Sequence, residues 1–219
     1  MFKILIQLFR QLGGALVFYT TIPLPESWPL EFSRVARWAS WIGLLLGGLV
    51  FGVYTSLQML PLSPFVCAVL TTAFWIYITG GLHLDGVMDT ADGLAVPDPE
   101  RRLSVMSDSR TGAFGVMAAI ILILLKVGAI AALSSAQSYA LVIAPIWGRW
   151  GQVLAIARYP YLKAEGKGAF HRRNLKLPQD LWPSLILLLI TVGTPMTIHP
   201  NAWTVWCGIA VAGFWISWG

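Results

Sequence analysis

The chain has 219 residues, 57% of them hydrophobic and only 11% charged, with a mean hydropathy of +0.70; a soluble globule carries about 25% charged residues on its surface, so most of this chain must be solvated by lipid. The net charge of +5 suits anionic headgroups or anionic substrates, but the basic residues are scattered through loops rather than interleaved with aromatics in a polar domain, which argues against nucleic acid. No polar stretch approaches the roughly 50 residues that a second, soluble domain needs, so one membrane domain over 1–219 is expected.

In chain order, residues 2–19 form an apolar run interrupted by Lys3 and Arg10 and ended by Pro23 and Pro25. That pattern reads as an interfacial or half-inserted helix, not as a removable signal peptide. Six runs of spanning length follow at 38–60, 62–82, 113–134, 138–157, 181–198 and 202–219, each near the ~20 residues that cross about 30 Å of hydrocarbon. The expected fold is therefore all-α: a polytopic transmembrane helical bundle of about six spans, with the N-terminal helix and short cytoplasmic helices that carry an acidic motif. Threaded up and down, the loop cations from Lys3 and Arg10 through Arg101, Arg102 and Arg110 to Arg172, Arg173 and Lys176 share one side, and the turns near 60, 136 and 199 hold none. The positive-inside rule makes the charged side cytoplasmic, with the protein in the cell (inner) membrane. All ten acidic residues fall on that side too, which topology does not require. Gly43 and Gly47 match a close-packing pattern that serves either an intramolecular contact or a homo-oligomer. Cys67 and Cys207 each sit in an apolar run without a ligand-spaced partner and read as small buried residues.

The chemistry concentrates after the second run, in Gly80-Gly81-Leu82-His83-Leu84-Asp85-Gly86-Val87-Met88-Asp89-Thr90-Ala91-Asp92-Gly93-Leu94. As a helix this places Asp85, Asp89 and Asp92 on one face at i, i+4 and i+7, where like charges repel with no local cation to offset them. A hard divalent cation such as Mg²⁺ takes oxygen ligands from carboxylates, phosphates and water, so these three aspartates are the expected metal ligands. His83 adjoins them as a proton carrier. The second stretch, Ser107-Asp108-Ser109-Arg110-Thr111-Gly112, offers Asp108 as a further ligand or base and Arg110 as a planar fork for phosphate. Lys126 and Arg149 lie within apolar runs, where a cation is expensive and seeks a polar cavity or an anion. Lys167, in the basic loop 158–180, closes over a phosphate-bearing ligand or meets anionic lipid. His199 falls in a turn on the uncharged side.

The stretches 80–94 and 107–112 resemble the two signature segments of the cobalamin synthase family, the adenosylcobinamide-GDP ribazoletransferases, and 18–25 is similar to that family's N-terminal stretch. The resemblance implies a Mg²⁺-dependent enzyme of the cytoplasmic membrane. It would join adenosylcobinamide-GDP to α-ribazole or its 5′-phosphate and release GMP. On that reading Asp85, Asp89 and Asp92 hold the metal on the pyrophosphate, and Asp89, Asp92, Asp108 and His83 make up the catalytic group. Arg110, Lys126, Arg149 and Lys167 hold phosphate oxygens. The family continues into a Gly-rich segment with a Thr-Gly-Asp that has no counterpart before Gly219. Two other readings compete: a CDP-alcohol phosphotransferase, whose Ala-Arg pair between aspartates is not found here, and a cation-coupled transporter, whose acidic residues sit near the midplane of broken helices.

Overall fold

The computed structural model describes residues 2–162 and 167–198, and within them every regular element is helical. The helices are α1 (Phe2–Tyr19), α2 (Ala39–Gln58) entered through a 3-10 turn (Val35–Trp38), α3 (Pro64–Ile78), α4 (Leu82–Leu94), α5 (Pro99–Val105), α6 (Ala113–Ala131), α7 (Ala140–Arg158), α8 (Lys167–Asn174) and α9 (Trp182–Ile198). Three are long and apolar enough to cross a membrane: Val35–Gln58, α6 and α7. A fourth crossing is obtained only by counting α3 and α4 as one bent pair. The described apolar part of α9 runs Trp182–Thr191 and is shorter; the run expected at 202–219 lies outside the described residues, as do His199 and Cys207.

The chain divides into two compact units, one made of Met1–Gly52 with Ser135–Gly219, the other of Val53–Ser134. In the first, the segment after α1 folds back on it: the Glu31 amide donates to the Arg10 carbonyl at 3.1 Å, and the Glu31 carboxylate accepts from Gln11 at 3.1 Å and from Ser33. Gly43 and Gly47 let α2 approach the α7 backbone, where an added methyl would lie 2.7 Å from the Pro145 carbonyl oxygen and 2.5 Å from that of Val142. The close-packing pattern thus serves a contact within the chain. Val142, Ile146 and Trp150 of α7 then pack on Leu187 and Leu188 of α9. Arg172 closes the end of α7, donating to the carbonyls of Ile156 at 2.7 Å and Tyr159 at 2.5 Å, which have no partner further along the helix. Asp180 is fully buried and accepts from Arg34 and from the Lys176 amide at 2.8 Å, with Arg37 at 3.7 Å.

The second unit holds α3 to α6. Ser63 caps α3 by accepting from the Val66 amide at 3.3 Å, with Pro64 in the first turn. The helix stops after 15 residues, about 22 Å and too short to cross alone. It stops because Gly80 and Gly81 have φ of 60° and 67°, a left-handed conformation that side-chain-bearing residues resist. The run expected at 62–82 thus holds only the 15-residue α3, and the acidic motif follows as a helix of its own after the chain turns by 87°.

Candidate active site on the acidic helix

α4 carries the aspartates, and its position is set by one of them. Helix α6 begins at Gly112, a residue with no side chain to cap the free amides of the first turn. Asp92 supplies the cap from α4: its carboxylate oxygens accept from the amides of Gly112 at 2.7 Å and Gly115 at 2.8 Å. Both bonds are charge-assisted and sit at the positive end of the helix dipole; a helix cap is worth about 1 kcal/mol. Gly115 is buried at the contact, where an added methyl would stand 2.5 Å from Asp92 Oδ2 and 3.0 Å from the Met88 carbonyl oxygen. Gly112, at the end of the second motif, and Gly115, in the first turn of α6, therefore let the acidic helix dock on α6.

Asp85 is exposed and Asp89 half-buried, one helical turn apart. Among the described residues no group of three His, Cys, Asp or Glu side chains gathers closely enough to hold an ion together. The three-aspartate shell suggested by the spacing is not assembled, because the carboxylate of Asp92 is turned onto α6. Asp85 and Asp89 offer an all-oxygen pair one turn apart. It fits a Mg²⁺ ion shared with a substrate's phosphates, since Mg²⁺ commonly takes one or two carboxylates and completes its shell with phosphate oxygens and water. It does not make an all-protein cage.

Asp108 and Arg110 pair directly. The Asp108 carboxylate accepts from Arg110 Nε at 3.1 Å, Nη2 at 2.7 Å and the Arg110 amide at 3.0 Å. Hydrogen bonding from the Arg110 side chain, then from its amide, holds the Asp108 carboxyl down to about 2, so Asp108 is a weak proton acceptor at neutral pH. The Arg110 side chain is 88% exposed and remains available to an incoming anion.

Lys126 and His83 meet inside the unit: Lys126 Nζ lies 3.1 Å from His83 Nε2 and 4.0 Å from the centre of the Trp75 ring. His83 Nδ1 lies 3.3 Å from Thr79 Oγ1, whose hydroxyl donates to the Trp75 carbonyl at 2.8 Å. With Lys126 as an ammonium, which only donates, the pattern assigns Nε2 as acceptor and the ring proton to Nδ1, facing Thr79. Both ring nitrogens are committed, and His83 orients Lys126 rather than standing ready as a base. Trp75 and Thr79 were not singled out from sequence; an aromatic and a hydroxyl within an apolar run carry no signal until the fold brings Lys126 to them.

The remaining expected cations belong to the first unit. Arg149 Nη1 donates to Gln152 Oε1 at 3.1 Å, Nη2 to the Tyr19 carbonyl at 3.4 Å, and its guanidinium stacks 4.6 Å from the Tyr19 ring centre. Lys167 opens α8, but its side chain, like all of residues 163–166, lies outside the described residues.

These features define an integral membrane protein that presents a carboxylate-bearing helix and an exposed arginine beside a span, an arrangement suited to phosphoryl chemistry. The chain belongs to the cobalamin-5-phosphate synthase family, whose description matches residues 11–219. It is similar to proteins named adenosylcobinamide-GDP ribazoletransferase: 50% identical to that of a Synechococcus species, over 88% of this chain and 77% of the relative, and 48% identical to that of a Synechocystis species, over 86% and 74%. The relative from a Prochlorococcus marinus strain is 40% identical over 92% of this chain and 80% of its own. No solved structure matches the chain.

Proposed function

We propose that the chain transfers the adenosylcobinamide phosphate group from adenosylcobinamide-GDP to a hydroxyl of α-ribazole or its 5′-phosphate, releasing GMP and forming adenosylcobalamin or its 5′-phosphate. The observation that carries this reading is the docking of the acidic helix, through Asp92, onto the glycines that follow the Asp108–Arg110 pair. Family membership supports it and sets aside the CDP-alcohol phosphotransferase and transporter readings.

In the reaction the acceptor oxygen bonds to the phosphorus that bears cobinamide, the anhydride bond to GMP breaks with its electron pair going to GMP, and the hydroxyl proton leaves. Asp85 and Asp89 would hold Mg²⁺, which when bound neutralises charge on the phosphates. Asp92 positions that pair by fixing the helix. Arg110 rotates from Asp108 onto a phosphate oxygen, where its fork of donors matches the geometry. The hydroxyl proton passes to solvent, because Asp108 is held acidic by Arg110 and the α4 carboxylates are taken up by the metal and by the α6 amides. The charged loops lie on the cytoplasmic side of the cell membrane, as the placement of Lys and Arg indicates.

The test is GMP release by purified, detergent-solubilised protein supplied with adenosylcobinamide-GDP and α-ribazole. Release is expected to need the acceptor and Mg²⁺, and Asp89→Asn is expected to lower it by about 100-fold or more without loss of membrane insertion. Release without acceptor would overturn the reaction; release unchanged in chelator would remove the ion, and a fully active Asn variant would remove Asp89.

A further inference from the structure

α6 is the most apolar of the membrane-length helices among the described residues, and its 19 residues at 1.5 Å each make it about 28 Å long. Phe114, Met117, Ile121, Leu124 and Leu125 are exposed along its length, as expected of a face turned to lipid. Its other side meets α4, and two contacts fix the register. Asp92, near the end of α4, bonds the amides of Gly112 and Gly115 at the start of α6. His83, at the start of α4, meets Lys126 far along α6. From 83 to 92 the acidic helix advances about 14 Å, and from 115 to 126 α6 advances about 17 Å. Lengths so close, pinned at both ends in opposite chain order, require α4 to run antiparallel beside the span rather than across its mouth.

We infer that the acidic helix lies below the membrane surface alongside α6, so that Asp85 and Asp89 line a hydrated cleft that opens toward the level of Gly112 and is floored by the His83–Lys126 pair. Asp85 is exposed and only two residues from His83, which places an ionisable carboxylate well inside the thickness that α6 crosses. Such a group is stable there only against water or a bound ligand. Lys126 belongs to none of the ion pairs among the described residues and rests on the Trp75 ring; a cation so placed at the closed end of a cleft draws an anionic group inward. The occupant is the phosphoanhydride end of an amphiphilic substrate, entering from the Gly112 side. The nature of that occupant rests on the phosphoryl-transfer reading, whereas the depth of the helix does not.

Depth is measured with the full chain in proteoliposomes, in a Cys67→Ala/Cys207→Ala background, with a bimane fluorophore on Leu82→Cys, Leu94→Cys or Glu100→Cys and lipids brominated at successive acyl positions. The label at 82 is expected to be quenched best by deep bromines, that at 94 by shallow ones and that at 100 by aqueous iodide, with 82 and 94 differing in depth by at most about 18 Å. Equal depth at 82 and 94 would put α4 flat on the surface and overturn the proposal. Gly86→Cys, exposed beside Asp85 with open space around it and outside the proposed ligands, is expected to react with a charged, membrane-impermeant thiol reagent; failure to react would overturn the cleft. Protection of that cysteine by adenosylcobinamide-GDP is expected, and unprotected labelling with the depth gradient intact would overturn the occupant alone. GMP release is not used in either readout, so failure of the transferase reading is seen separately.

Discussion

Asp92 and Asp108 are both aspartates in signature stretches, and the structure uses them differently. Asp92 spends its carboxylate on two backbone amides and thereby positions a helix; Asp108 spends its own on the Arg110 side chain and amide. The second pairing was within reach of the sequence, because a carboxylate two residues before an arginine meets it in almost any tight turn. The first was not, since Gly112 lies 20 residues beyond Asp92 and a glycine announces no donor. Arg110 lowers the Asp108 carboxyl to about 2, below the ordinary value near 3.9. A carboxyl held down in this way keeps its charge, so the contribution of the pair is fully present above about 3.9 and is lost only as pH falls through the lowered value. A nitroxide on Ser109→Cys should therefore show the same restricted mobility at pH 8 and at pH 4, and the added change Asp108→Asn should free it at both. Mobility that rises steadily from pH 6 to pH 4 would disprove the pairing.

At the scale of elements, apolar run length located α2, α6 and α7 closely but made the helix at 62–82 too long, since α3 stops at Ile78 before a sharp corner. Hydropathy registers how greasy a stretch is and is blind to backbone sign; the information lay in Gly80-Gly81, which in the sequence reads as part of a motif and not as a helix stop. Gly81 has φ 67° with nothing within 4 Å of where a methyl would stand, so the cost of a side chain there is conformational, about 1–2 kcal/mol for a residue forced left-handed. Gly86 lies within α4, also with open space around it, and has no such φ. Thermal unfolding in detergent should show Gly81→Ala destabilised by roughly that amount and Gly86→Ala stabilised by about 1 kcal/mol. Equal effects of the same sign would mean that the corner does not depend on the left-handed turn.

For the molecule as a whole, the one-sided distribution of charge is the sequence's main statement about orientation, because the cost of moving Lys and Arg across a bilayer acts on every loop independently. The metal shell was the least legible: helical spacing puts three carboxylates on a common face but cannot say which of them another helix will claim. The orientation drawn from charge is checked with single cysteines at Ser104 and Met59, both exposed. An impermeant thiol reagent should label position 104 in inverted vesicles and position 59 in right-side-out ones; the reverse pattern, or labelling of both from one side, would overturn the topology.

The bond between Arg34 and Asp180 joins residues 146 positions apart, and it bears on how the polypeptide is made. Synthesis delivers Arg34 early, and its partner emerges only after all of Val53–Ser134 has left the ribosome. The acidic helix and its docking span have contacts close in sequence and are complete while the flanking unit still awaits its second half, which must close a much longer loop. A nascent chain from which residue 134 has just cleared the ribosome can thus hold the acidic helix against its span while the carboxylate partner of Arg34 has yet to emerge. In the cell that interval, and not the chemistry of the aspartates, sets when the flanking unit first acquires its fold.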